Sequence, residues 1–142
     1  FSKQNKTQEL EIPMCIETEY KKDMKLLIDL CKCLNLKYYE INHEKRKILH
    51  LAAVFSNNFS NHLYSIAHKI TKKNNIDFDI LKPLIQETAN KILLLEPTKA
   101  QTGPARRNDT DTINEHLKLL KNDDYKNLYK TFTQLIRDEN KL

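Results

Sequence analysis

The chain has 142 residues and a mass of 16.8 kDa, with 39% hydrophobic residues and a formal net charge of +5. That is length and apolar content for one domain, or one domain plus a fragment, and it excludes a disordered chain. A single glycine, Gly103, stands where average usage would give about ten. This excludes both the dinucleotide fingerprint and the P-loop, which need several glycines where the backbone closes on a phosphate.

The positive charge is spread evenly: Lys+Arg minus Asp+Glu gives +2 for residues 1–50, +2 for 51–100 and +1 for 101–142. The densest cluster, Lys45-Arg46-Lys47, follows Glu44, and the six Tyr and five Phe are not interleaved with basic residues. No nucleic-acid partner is expected. Apolar runs such as Ile92-Leu93-Leu94-Leu95 fall far short of the roughly 20 residues that span a bilayer, so no membrane partner is expected either. Cys15, Cys31 and Cys33 are an odd set; Cys31-x-Cys33 is too tight for a zinc knuckle and lacks a second pair. The five histidines have no HxxxH spacing, so no metal site is expected. Free thiols indicate a reducing, cytoplasmic setting. The start at Phe1-Ser2-Lys3, with no apolar signal region behind it, reads as a piece of something longer.

In chain order, Ile12-Pro13-Met14-Cys15-Ile16-Glu17 predicts a short strand, with Pro13 near its start. A helix opened by Thr18 or Glu19 follows, its apolar face formed by Met24, Leu27, Ile28, Cys31 and Leu34. Lys37 to Ile41, rich in aromatics, predicts a second strand. Two strands make a poor sheet alone, so this strand–helix–strand unit expects a larger sheet from upstream. From about His43 to Asn74 the spacing predicts one helix of about thirty residues and roughly 45 Å. Ile48, Ala52, Phe55, Phe59, Leu63, Ile66 and Ile70 should form a continuous buried stripe along it.

Asn74-Asn75 ends that helix, and Asp77 or Asp79 caps the next, which carries Leu81, Leu84, Ile85, Ala89, Ile92 and Leu95 and tolerates Pro83 in its first turn. Residues 96–108 read as a loop, marked by Pro97, Gly103 and Pro104. Two last helices, about 110–121 and 124–137, are divided by Asn122-Asp123.

Two constellations could carry chemistry. Thr102-Gly103-Pro104-Ala105-Arg106-Arg107-Asn108-Asp109 gathers the only glycine, a proline, two arginines and a capping acid. It offers guanidinium groups and helix N–H groups to an anion, or it is a plain helix-entry loop with Asn108 left-handed and Asp109 or Thr110 as cap. On the long helix His50, Asn57, Asn61 and His68 form a polar stripe. There His50 could protonate or orient a carbonyl, or the stripe is merely solvated or paired across an interface.

The runs His50-Leu51-Ala52-Ala53-Val54-Phe55-Ser56-Asn57-Asn58, Leu81-Lys82-Pro83-Leu84-Ile85 with Thr88 and Asn90, Thr102 to Asp109, and His116-Leu117 together resemble the C-terminal helical domain of the family catalogued as domain of unknown function 2520. That family is similar to deazaflavin-dependent NADP oxidoreductases and pyrroline-5-carboxylate reductases. The resemblance implies a mainly α fold. Residues 43–142 would be an all-helical substrate and dimerisation bundle, like the C-terminal domain of 6-phosphogluconate dehydrogenase. Residues 1–42 would be a short βαβ remnant of a Rossmann domain. It implies NADP bound mainly by an N-terminal half not present in this chain, a small-molecule substrate and a homodimer.

Carried over by position, His50 and Asn57 would be catalytic, and Asn90, Thr102, Gly103, Arg107, Asp109 and His116 would bind substrate or cofactor. Asn108 departs from the family's usual glycine, which asparagine, tolerant of positive φ, can replace in a turn. The function expected is thus the helical half of an NADP-dependent oxidoreductase, inactive alone. The alternative is a non-catalytic helical module that pairs with a copy of itself.

Overall fold

The computed structural model describes residues 12–140. The chain divides into two compact units after Asn75.

The first unit begins with β1 (Met14–Ile16), α1 (Lys21–Cys33) and β2 (Tyr38–Glu40). The strands pair in parallel with Met14 opposite Tyr38, Cys15 opposite Tyr39 and Ile16 opposite Glu40, and α1 is the crossover between them. The expected strand–helix–strand unit is present, but α1 opens later than Thr18 or Glu19. The Thr18 hydroxyl accepts the Tyr20 N–H at 3.2 Å, a local turn that holds the chain out of the helix until Lys21. At its other end Asn35 sits at φ +50° and the Leu36 N–H reaches back to the Cys31 carbonyl at 2.8 Å, closing the helix with a left-handed cap. Ile16 and Cys31 are buried between sheet and helix. The Glu17 carboxylate then ties this unit to the next helix: it accepts the His43 N–H at 2.9 Å and pairs with Arg46, whose guanidinium also donates to the Ile41 carbonyl.

The long helix is present, but not as one regular α-helix. α2 (His43–Ala53), capped by the Asn42 side chain on Lys45 N–H, runs into a π-helical turn over Val54–Phe59 and then α3 (Ser60–Lys73). A π turn bonds i to i+5 and so adds about one residue to the ladder, rotating everything beyond it by about 100° around the axis. The single stripe expected from Ile48 to Ile70 is therefore two stripes on different faces, and the polar row from His50 to His68 is offset in the same way. Nor is the stripe buried: Ile66 is, while Ile48 is 67% and Phe55 62% exposed. Among the described residues of the first unit, none buries Ile48 or Phe55. Asn74 and Asn75 end the helix as expected, Asn75 at φ +55°.

The second unit opens with Asp77, which caps a 3-10 turn (Phe78–Leu81) leading into α4 (Lys82–Leu94) with Pro83 in its first turn. The 96–108 stretch is not wholly loop, because Pro97 starts one helical turn, α5 (Pro97–Ala100), where its fixed φ and missing N–H are harmless. α6 (Thr110–Leu119) and α7 (Asp123–Glu139) follow, α7 capped by Asn122 on the Tyr125 N–H. Thr110 meets Arg137, and His116 meets Tyr129. Partners that lie ever closer to the Asn122 break on both sides make an antiparallel helical hairpin. Ile113 is its buried apolar residue and Thr133 its buried hydroxyl, and Ala105 is buried in the loop that precedes α6. Leu93 and Leu94, at the end of α4, are 81% and 86% exposed.

Candidate functional site

The loop before α6 is organised by backbone sign. Gly103 has φ +103° with nothing within 4 Å of where a Cβ would stand, so glycine is required there for conformation and not for room. The chain then coils through three bonds: Arg107 N–H to the Gly103 carbonyl at 3.4 Å, Asn108 N–H to Ala105 at 3.2 Å and Asp109 N–H to Pro104 at 2.9 Å. Asn108 takes φ +53°, the left-handed position that its short amide tolerates. Asp109 caps α6, accepting the Thr112 N–H at 3.1 Å and the Thr112 hydroxyl at 2.8 Å. That cap holds the Asp109 carboxyl below its ordinary value. The Thr112 N–H is the largest cause, the Thr112 hydroxyl the next, and the positive charge of Arg107 adds to them.

Arg107 lies 3.9 Å from the Asp109 carboxylate, with its side chain 65% exposed. A pair so long and so wet contributes little to stability and leaves the guanidinium available. Down α6, His116 Nδ1 lies 2.9 Å from the Tyr129 hydroxyl, with the two rings edge to face at 5.8 Å. Burial, and then the negative charge of Asp109, push the Tyr129 phenol above its ordinary value. Thus Arg107, Asp109, His116 and Tyr129 share one electrostatic neighbourhood. Arg137 adjoins it, donating to the Thr110 hydroxyl at 3.3 Å while its Nε is buried without a hydrogen-bond partner.

Of the residues singled out by sequence, Gly103, Arg107, Asp109 and His116 belong to this loop and hairpin. Thr102 enters the loop exposed, and Asn90 is exposed on α4. His50, on α2, and Asn57, within the π turn, are exposed residues of the first unit. Sequence reasoning passed over Tyr129. Its inward placement was legible from its four-residue spacing to Tyr125 and Thr133 on α7. Its meeting with His116 follows once the hairpin is folded about Asn122, which sets His116 six residues before the break and Tyr129 seven after. Among the described residues no group of three or more His, Cys, Asp or Glu could hold a metal ion. All three cysteines are free thiols, and no described helix is long and apolar enough to cross a membrane.

Comparison with solved structures gives two informative matches. The crystal structure of a protein from Bacteroides fragilis, described as a putative NADP oxidoreductase, is 42% identical and superposes with a TM-score of 0.87 over 97% of this chain. A protein from Thermotoga maritima is 26% identical, with a TM-score of 0.63 over 74% of this chain. This chain covers 54% and 44% of those two proteins, about half the length of each. Curated proteins gave no match. The sequence profile of the domain of unknown function DUF2520 matches residues 12–136, so this chain belongs to that family, the one its motifs resemble.

Proposed function

We propose that this chain is the helical, substrate-binding and dimerising half of an NADP-dependent oxidoreductase that acts on a small molecule in the cytoplasm, paired with a second copy of itself. The observation that carries the reading is the likeness to the Bacteroides fragilis protein described above, which extends over nearly the whole of this chain and about half of that one. The exposed Ile48, Leu51 and Phe55 on α2 and the π turn, and Leu93 and Leu94 on α4, give such a half apolar surface to share with a partner copy and a neighbouring domain.

The described residues do not fit the pyrophosphate of NADP. The one helix start that follows a glycine loop, that of α6, is already filled by the Asp109 carboxylate, which repels a phosphate. In this reading the cofactor is held mainly by a preceding dinucleotide-binding domain, and residues 1–42 are the end of that domain. This chain then supplies what a redox cofactor needs from its surroundings, orientation and proton transfer. His50 is the proton donor or carbonyl orienter, with Asn57 and Asn90 placing polar groups. Thr102, Gly103 and Asp109 shape the loop, His116 offers a ring nitrogen, and the exposed Arg107 binds an anionic part of substrate or cofactor.

The test is Arg107→Ala against Lys121→Ala in the full-length protein. A guanidinium bonded to an anion contributes about 1.5–3 kcal/mol, so Arg107→Ala should weaken ligand binding by about tenfold or more while Lys121→Ala leaves it unchanged. Equal binding of NADPH and substrate by both variants would remove Arg107 from the site.

A further inference from the structure

We infer that Tyr129 is a positioning residue: it donates its hydroxyl proton to Nδ1 of His116 and so fixes that imidazole as the neutral Nε2–H tautomer, a hydrogen-bond donor for an acceptor oxygen of the ligand. The ligand half of this inference rests on the reading proposed above; the tautomer half does not.

The 2.9 Å contact between Nδ1 and the Tyr129 hydroxyl admits two directions of donation. They differ in what is left over. A neutral imidazole carries one N–H and one bare nitrogen, whereas a phenol always has an O–H to place. If the ring donated through Nδ1, the half-buried Tyr129 hydroxyl would need a second acceptor, and none of the described residues gives it one. If the phenol donates, the proton left over is the Nε2–H of an exposed histidine, which water or a ligand can accept. Of the two leftover donors the half-buried phenol is the less open to water, so leaving it without a protein acceptor is the costlier choice.

The surroundings favour the same direction. Burial and the Asp109 carboxylate both oppose loss of the phenolic proton, so near neutral pH Tyr129 is a donor and not a phenolate. The edge-to-face packing, with the ring planes 89° apart, holds the imidazole in one orientation. Around the pair, Arg106, Arg107 and Asp109 are the charged groups of the loop, and on α7 Lys126 is engaged with Asp123 at 3.2 Å. The Nε2 edge has no protein partner among the described residues, so its proton is the one this hairpin offers outward.

The experiment uses full-length protein labelled with 15N at histidine only, with His116 assigned by its loss in His116→Gln. Long-range 1H–15N correlations of the neutral rings should show His116 as a single Nε2–H tautomer. Tyr129→Phe should turn it into a mixture of both tautomers while the signals of His50 stay in place. An Nδ1–H pattern in the wild-type protein overturns the inference without recourse to any variant, and so does an unchanged His116 pattern in Tyr129→Phe. For the ligand half, NADPH is titrated into His116→Gln, whose amide keeps a donor near the Nε2 position, and His116→Asn, which does not. The first should bind within about threefold of wild type and the second about tenfold more weakly. Equal binding by both variants and wild type overturns the ligand half. A wild-type protein that fails to bind NADPH strikes instead at the function proposed above, and leaves the tautomer result as it was measured.

Discussion

Asn108 holds the left-handed turn before α6 at a φ of +53°, a conformation whose cost depends measurably on the residue type. In the left-handed region the contact between a Cβ and the backbone costs an ordinary L-residue roughly 1–2 kcal/mol, less for asparagine, and nothing for glycine. Asn108→Ala should therefore lose about 1 kcal/mol, and Asn108→Val about 2 kcal/mol because branching at Cβ adds crowding. Asn108→Gly should stay within about 0.5 kcal/mol of wild type, since relief of the strain is offset by a freer unfolded chain. In a protein of about twice this length each 1 kcal/mol is about 2 °C in Tm. Urea midpoints and thermal scans of the full-length protein give the order Gly close to Asn, then Ala, then Val. Asn127, exposed within α7, serves as a helical control whose alanine variant should change little. If valine at 108 proved as stable as wild type, the loop would not hold a left-handed residue there, and the turn that delivers Asp109 to the start of α6 would have to be redrawn.

Phe55→Asp tests the uncovered face of the long helix. Phe55 is 62% exposed and stacks edge to face on Phe59 at 5.0 Å, and covering a phenylalanine is worth about 1.5–3 kcal/mol per copy. A symmetric dimer meets the change twice, so sedimentation should show its dissociation constant raised about a hundredfold or more; a full-length protein that is monomeric at micromolar concentration, or a dimer indifferent to the change, contradicts the pairing. Glu17 gives a pH signature. The His43 N–H, and then Arg46, hold its carboxyl below the ordinary glutamate value, so the unfolded chain binds more protons than the folded one as pH drops. Its contribution is present above the ordinary glutamate value and is lost as pH falls through the depressed one, so Glu17→Gln should flatten the acid side of a stability–pH curve; an unchanged acid limb would mean the clasp does not form.

What the sequence made legible was the chemistry of element ends. Asp77 and Asp109, each read as one of two possible caps, and Asn42 and Asn122, which were not read as caps, all cap helices because their side-chain oxygens reach N–H groups two or three residues on, a relation that needs no tertiary structure. The short strands and the helix between them, and the helices after Asp77, were readable from period for the same reason. The π turn was not readable, because no residue type in Val54–Phe59 demands it; it is a shift in backbone bonding that leaves the apolar spacing intact while moving the faces. Spacing also marks a face as apolar without naming what covers it, which is why Ile48 and Phe55 read as buried and stand exposed. In the candidate site the loop from Gly103 to Asp109 could be read locally. Tyr129 and Arg137 enter it only across the α6–α7 hairpin, 13 and 27 residues from the groups they bond.

The proposal that this chain is half of a cofactor-dependent enzyme depends on NADP being gripped mainly by residues outside these 142. Calorimetric titration of NADPH into the full-length protein, beside the same titration into residues 1–142, examines that most directly. Saturable binding by the full-length protein and none by the 142-residue chain is the expected result. Binding of equal strength by the chain alone would mean that a nucleotide cradle exists here despite the single glycine and the occupied start of α6.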